Sequence, residues 1–596
     1  VKSSQQWALL ASIVGLGVAL RWSALHSGFH MDDFAQLAML RGDYPVDRAA
    51  WDLFSFTKGA SENPTLMAHG SLPWWSDPEL RLTALRPLSS LLLWFDVHVL
   101  QARPVAMHVH SMLWWAAAIV AAFAALRRHA SPAVALLAVA LYTLDDAHTY
   151  PVAWIANRSA LVSATFGFIA LWSHARWREH PWPAGQWISV LASVLALAAG
   201  EYGLCAVAFI VGYELRRRQS WGERLRILAP IVVVVVIYLA LHRFGGFGSQ
   251  YSGIYVDPAR EPLEFSATLA ERFPVLLSDV LLAVPLSQAL LIPSIGDSPG
   301  LAAILVVAPL VLILIVIRGR QQQVVAEHLD AWAIGGLLAL IPVSASYLSG
   351  RLTVVAGVAG HLWLAMVLAH AWSRRGRRTV GTILLGVLAV ALGALHLVAA
   401  PVFGYLELQG IVQYNRAGKE ASLHWSLGDP ATIAERRIVV LTVGDPMMLI
   451  YPPWIRRVAG DPLPQRWWVL SMAPHVHRMT RVSADVVELE VVDGAMLRGP
   501  VQRLFRPADR RPDVGDTVDL DGLVVEIVQV APDGAPTRVR YTFDRPLDDP
   551  SMVVAIVSPR GLLRYPLGPV GSTVTVAPGA HPLTFSNPAA TTSASP

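Results

Sequence analysis

The chain has 596 residues, of which 54% are hydrophobic and 15% charged, against about 25% charged in soluble domains. A mean hydropathy of +0.46 agrees. This composition excludes an ordinary soluble enzyme, a disordered chain and a basic nucleic-acid binder, and it points to a membrane. A single cysteine, Cys205, excludes intramolecular disulfides and cysteine-built metal sites, and a net charge of +4 is small for the length.

Apolar runs fill residues 1–400. A bilayer core of roughly 30 Å takes about 20 helical residues. Runs at 6–24, 105–126, 131–148, 153–175, 184–200, 202–215, 227–242, 300–317, 331–349, 353–372 and 379–398 predict about eleven spans on that length rule. The run 202–215 is the shortest, set between Glu201 and Arg216-Arg217-Arg218. Two stretches, 86–100 and 273–293, are ambiguous in length. Placing both at the outer interface as juxtamembrane helices puts all five arginine clusters on one side: Arg127-Arg128, Arg176/Arg178, Arg216–Arg226, Arg318/Arg320 and Arg374–Arg378. The N-terminus is then cytoplasmic and the C-terminal part extracytoplasmic. The first span is read as retained, because Arg21 and the lack of a small-residue cleavage site do not suit a signal peptide.

The domain reading that follows has a transmembrane region over 1–400, with outer loops at 25–104 and 243–299. A linker follows at 401–436, then a β-rich extracytoplasmic domain at 437–580 and a disordered tail at 581–596. The β reading rests on alternating runs such as Arg437–Leu441 and Leu523–Val530 and on the Asp521-Gly522 and Asp533-Gly534 turn pairs.

This topology leaves few charges on the outer side. The first is Phe29-His30-Met31-Asp32-Asp33-Phe34, just past the first span. Adjacent carboxylates at a membrane surface repel one another and resist desolvation. Such a group can remove a proton from an acceptor hydroxyl or ligate a hard cation. It can also cap the helix predicted over 34–40. Arg86, Arg158 and Arg351 face the same compartment, and the guanidinium fork suits phosphate oxygens. Each could equally pair with Asp145, Asp146 or Glu201. His148 beside Asp146 is a donor to phosphate or a helix-end hydrogen-bonder. His108 and His110, two apart, do not share a helix face. The Trp74-Trp75, Trp114-Trp115 and Trp467-Trp468 pairs predict interfacial belts, with sugar stacking open to Trp74 or Trp75.

In order, these elements resemble the GT-C superfamily of polytopic glycosyltransferases. Within it they are most similar to the protein O-mannosyltransferase-like group (glycosyltransferase family 39-like) that includes the TMTC proteins and bacterial relatives. The resemblance runs over about residues 6–400 through His30-Met31-Asp32-Asp33, Arg86-Pro87-Leu88, Met107-His108-Val109-His110, His148 through Pro151 to Arg158, Gly200-Glu201-Tyr202-Gly203 and Pro342 through Arg351 to Gly360. Gly200 stands where the family usually has lysine, and a β-rich domain replaces the helical repeats of many relatives.

The resemblance implies a mainly α, GT-C-like transmembrane domain followed by a β-rich domain. It implies transfer of a sugar from a polyprenyl-phosphate donor to a hydroxyl of a protein, lipid or envelope glycan on the outer face. Asp32 or Asp33 would be the base. Arg86, His148, Arg158 and Arg351 would attend the lipid phosphate, with Glu201 and Asp146 as secondary candidates. A divalent cation, Mg or Mn, is left open at Asp32 and Asp33. Membrane lipids and the donor are the expected partners, without nucleic acid. The competing readings are a non-catalytic scaffold of the same fold and a transporter. The transporter reading is weakened by the lack of internal symmetry and of midplane charge.

Overall fold

Most of the apolar runs become helices. A computed structural model describes residues 3–283, 299–377, 379–427, 430–558 and 561–581. Among them, five helices are long and apolar enough to cross a membrane: Pro104–Leu126, Ile155–Glu179, Trp221–Phe244, Gln323–Val343 and Val380–Leu423. Shorter apolar helices include Ser4–Leu20, Pro132–Leu144 and Ala184–Ala199. Proline opens several of them, at Pro87, Pro104 and Pro132, where its missing N–H is no loss. Helix Trp221–Phe244 leaves Val232, Val233, Val236, Ile237, Leu239 and Leu241 exposed. A stripe of that extent marks a lipid- or partner-facing surface, and with the other long apolar helices it supports an integral membrane protein. Helix Ile155–Glu179 lies inside the bundle, with 83% of its apolar window buried.

The stretch 86–100 forms helix Pro87–His98, at 12 residues too short to span. The stretch 273–293 enters helix Pro262–Leu282, and its remainder, 284–293, lies outside the described residues. So does the expected tail beyond 581.

Much of the expected linker at 401–436 is helical. Residues Ala400–Leu423 form a helix that runs on from Val380–Ala394 through a π-helical turn at Leu395–Ala399. Its buried residues, Leu408, Ile411, Val412, Asn415, Ala417 and Ala421, recur at helical spacing, so one face is held by tertiary packing.

Strand Ser55–Lys58 pairs with Arg81–Thr83, and the latter with Gly248–Gln250. This small sheet ties the segment 55–83 to the segment 248–250. Beyond it lie two larger sheets. In the first, Arg437–Thr442 runs parallel to both Met552–Ser558 and Arg466–Ser471. The second is antiparallel, in the order Thr573–Val576, His477–Arg481, Val486–Val491, Pro536–Phe543, Leu523–Val530, Thr517–Asp519. Asp521 and Gly522 both take positive φ, 54° and 111°, as a tight hairpin turn between right-twisted strands requires.

The β-rich region and the first outer loop share one core. Phe34, Leu53, Leu66, Trp75 and Leu93 pack in the same cluster as Ile438, Val440, Trp467, Leu470 and Tyr541. At Gly70, φ is +79° and an added Cβ would sit 1.7 Å from the Trp467 carbonyl oxygen, so the two regions meet backbone to backbone.

This packing corrects the reading of the tryptophans. Trp74, Trp75, Trp115, Trp467 and Trp468 are all buried. The indole N–H of Trp74 donates to the Leu470 carbonyl at 2.9 Å, and that of Trp468 to Ala68 at 3.0 Å. An indole whose N–H finds a carbonyl is free to enter a core.

Candidate active site

Helix Asp32–Arg41 begins where the chain leaves the first apolar helix. Its N-cap position is Met31, with φ +38°, and Asp32 and Asp33 are the first helical residues. The expected cap is thus corrected, since neither aspartate occupies the cap position. Negative charge in a first helical turn is still favoured by the helix dipole.

The two carboxylates have separate environments. Asp33 is buried and fully engaged. Its Oδ2 accepts the His30 amide at 2.9 Å and its Oδ1 the Ala156 amide at 2.8 Å. It fastens the loop to the turn before helix Ser159–Glu179. Burial raises its carboxyl to about 7, against the pull of those two amides. Asp32 is half-buried. Its Oδ1 accepts the Tyr451 hydroxyl at 2.9 Å. Burial raises its carboxyl, while Tyr451, Arg351 and Arg86 act to lower it. Each oxygen of Asp33 thus already accepts one backbone amide, whereas Asp32 accepts one hydroxyl.

Arg86 lies at the start of helix Pro87–His98. Its Nε donates to Glu201 at 2.8 Å, and its guanidinium lies 4.9 Å from the Phe54 ring centre. A Cβ at Gly200 would lie 3.5 Å from Arg86 Nε, an ordinary contact distance, so the position borders this pair. Arg351, between two apolar helices, pairs with no carboxylate among the described residues. Its NH2 donates to the Tyr347 hydroxyl at 2.7 Å, and it lies 5.0 Å from the ring centres of both Trp154 and Tyr347.

The other expected site residues lie elsewhere. Arg158 is buried, with its NH2 2.5 Å from Asp96 and its Nε donating to Ser111 at 2.9 Å. Asp96 also meets His110 at 2.6 Å. His108 spans the Gly28 and Val152 carbonyls at 2.8 and 3.2 Å. The His148 ring is enclosed edge-on by Tyr142 and Trp115, at 4.5 and 6.4 Å between centres. Asp146 is buried beside Gly350 and Gly404. Asp32, Arg86, Glu201 and Arg351 thus share one electrostatic neighbourhood, whereas Arg158, His148 and Asp146 face inward.

Two residues escaped the sequence reading. Tyr451 comes from the β-rich region and has no local signal. Gln36 lies one turn beyond Asp32 and is fully buried, and neither amide atom has a hydrogen-bond partner among the described residues. Gln36 lines a small cavity of about 10 Å³, room for roughly one water, with Phe54, Ser89, Ala156, Arg158 and Ser159. A polar residue predicted on the apolar face of a helix was the available clue.

No protein-family profile matches the chain. No curated protein matches it either. Among solved structures, the apo oligosaccharyltransferase of Archaeoglobus fulgidus is 13% identical, covering 77% of this chain and 64% of its own, with a TM-score of 0.41. The same organism's AglB with an inhibitory peptide and a dolichol-phosphate gives 13% identity, 75% and 64% coverage and a TM-score of 0.39. ArnT from Cupriavidus metallidurans bound to undecaprenyl phosphate gives 13% identity, 76% and 85% coverage and a TM-score of 0.38. The chain thus spans under two thirds of the length of the archaeal enzyme, and likeness at this level identifies neither an activity nor a site.

Proposed function

We propose that the protein is a membrane glycosyltransferase that moves a sugar from a polyprenyl-phosphate donor to an acceptor hydroxyl, with Asp32 as the general base. The observation that carries this reading is the setting of Asp32. It is half-buried, held by one hydroxyl, and sits in the field of Arg86 and Arg351. A carboxylate in the field of two guanidinium groups suits an acceptor that loses a proton and a leaving group that gains charge.

In the reaction, Asp32 takes the acceptor proton. The acceptor oxygen bonds to the anomeric carbon, and the bond from that carbon to the phosphate oxygen breaks. The electron pair leaves on the lipid phosphate. Cations fixed near that oxygen stabilise the transition state more than the ground state. The exposed apolar helices give the lipid tail a route along the bilayer. The arginine clusters support an outer-face position for Asp32.

Asp32→Asn in purified protein, assayed for sugar transfer, is expected to lower turnover by about 10²–10⁴-fold, the usual weight of a general base. Wild-type turnover in that variant overturns the assignment. The pairing of Arg86 with Glu201 supports a second reading, a non-catalytic scaffold of the same fold. Donor binding without any turnover in wild type would favour it.

A further inference from the structure

A second cluster of chemistry-bearing groups lies apart from Asp32. Three segments converge there: the residue closing helix Pro132–Leu144, the second turn of helix Gly357–Ser373 and the π-helical turn Leu395–Ala399. They bring in Asp145, His361 and His396, which are 6%, 1% and 1% exposed. One ligand atom from each lies within 4.8 Å of the others.

The hydrogen bonds of the two imidazoles fix where their free electron pairs lie. His361 Nδ1 is 2.7 Å from the Gly357 carbonyl oxygen, and His396 Nε2 is 3.0 Å from that of Leu281. A carbonyl only accepts, so both of these nitrogens carry hydrogen. The acceptor nitrogens are then His361 Nε2 and His396 Nδ1. The first faces Asp145 Oδ2 at 3.1 Å. The second is buried without a hydrogen-bond partner among the described residues. In the neutral tautomers, three acceptors converge with no hydrogen between them. Something positive must lie there to make the arrangement stable.

An imidazole that donates its other N–H to a backbone carbonyl is the usual support of a metal-ligating histidine. Asp145 is supported in the same manner. Its Oδ1 accepts the Ala147 amide at 2.9 Å, and its backbone carbonyl accepts Arg21 at 2.6 Å. The π-helical turn adds a residue to the helix where His396 projects, a distortion frequent at functional positions.

We propose that Asp145, His361 and His396 bind a divalent transition metal, zinc by the chemistry of the donors. Two imidazole nitrogens and one carboxylate oxygen suit zinc, whereas magnesium and calcium take oxygen ligands. Donors about 2.0–2.1 Å from a tetrahedral ion stand about 3.3 Å apart, close to the 3.1 Å already present between His361 and Asp145. Three protein ligands leave a fourth position open. The ion would staple three apolar helices that are distant in sequence, and it would stabilise the folded chain by binding it alone. The site stands whether or not Asp32 is a base.

The test uses the full chain, purified in detergent without chelator. Elemental analysis is expected to find about one zinc per chain, and cobalt added to the stripped protein is expected to give the visible bands of a tetrahedral ion. His361→Gln and His396→Gln are each expected to weaken cobalt binding by at least about tenfold. Wild type that binds neither zinc nor cobalt overturns the proposal, and leaves a proton shared by His361 and Asp145 as the positive charge. Unchanged binding in both variants also overturns it. Should the variants not fold, X-ray absorption of zinc-loaded wild type decides. Two imidazoles and one oxygen ligand support the site, and coordination without imidazole refutes it.

Discussion

The Tyr451 hydroxyl donates to Asp32 Oδ1 at 2.9 Å across 419 positions of sequence. A residue of the β-rich region thereby sets the state of a carboxylate beside the first apolar helix. A hydrogen bond to the charged form favours that form. Tyr451→Phe removes it, so the Asp32 carboxyl should titrate at higher pH. The base works deprotonated, and transfer therefore rises with pH through its titration. The acidic limb of the pH–rate profile is expected to move to higher pH in Tyr451→Phe, with the plateau less affected. A profile that does not move would show that Tyr451 does not tune the base.

Asp33 predicts a pH dependence of stability. Burial holds its folded carboxyl at about 7, against 3.8 for the free group. The folded state then binds a proton more readily than the unfolded state. This contribution is fully present below about pH 4 and is lost as pH rises through about 7. Asp33→Asn cannot titrate and should show a flatter dependence between those limits. His30, pushed down to about 4 by burial, runs in the opposite sense in both proteins and cancels in the difference. Thermal unfolding in detergent across this range is the measurement.

Gln36 carries an amide that is buried and unpaired among the described residues. An unsatisfied buried polar group destabilises by about 1–3 kcal/mol. Gln36→Leu is therefore expected to unfold no earlier than wild type. If the amide meets a donor sugar or phosphate oxygen, KM for the donor should rise by about tenfold, the worth of one hydrogen bond. A stable variant with unchanged KM would make the residue one of packing alone.

Arg158 and Arg351 should separate cleanly. Arg158→Met leaves Asp96 buried without its cation, which in comparable sites is destabilising by about 3–5 kcal/mol. It is expected to lower the unfolding temperature and the yield. Arg351→Met breaks no ion pair, and is expected to fold normally and to bind the donor poorly. Unfolding temperature and donor affinity, measured together, check both.

Much of the helical part was legible because a span is a local property of length and polarity. The turn pair Asp521-Gly522 and the run Leu523–Val530 were legible for the same reason. Residue roles were not local. Asp32 and Asp33 are neighbours with the same chemistry, and only Ala156 and Tyr451, both distant in sequence, distinguish them. Arg158 read equally as a phosphate ligand or an ion-pair partner, and its neighbour Asp96 lies 62 positions away in sequence. The helix Ala400–Leu423 was masked by its polar residues, whose partners lie in the first loop. His30 Nδ1 lies 2.6 Å from Asn415 Oδ1, and Asn415 Nδ2 donates to the Ser27 hydroxyl at 2.9 Å. The trio of Asp145, His361 and His396 has no sequence spacing, because three helices supply one ligand each.

The core shared by the first outer loop and the β-rich region bears on biogenesis. Leu53, Leu66 and Trp75 emerge from the ribosome early, while Ile438, Val440 and Trp467 emerge hundreds of residues later. Until then the loop has no complete core, and Asp32 lacks its hydroxyl partner. A chain arrested before residue 451 would display its membrane helices without an assembled carboxylate. Proteolysis of the first loop during synthesis, and its protection afterwards, would time that event.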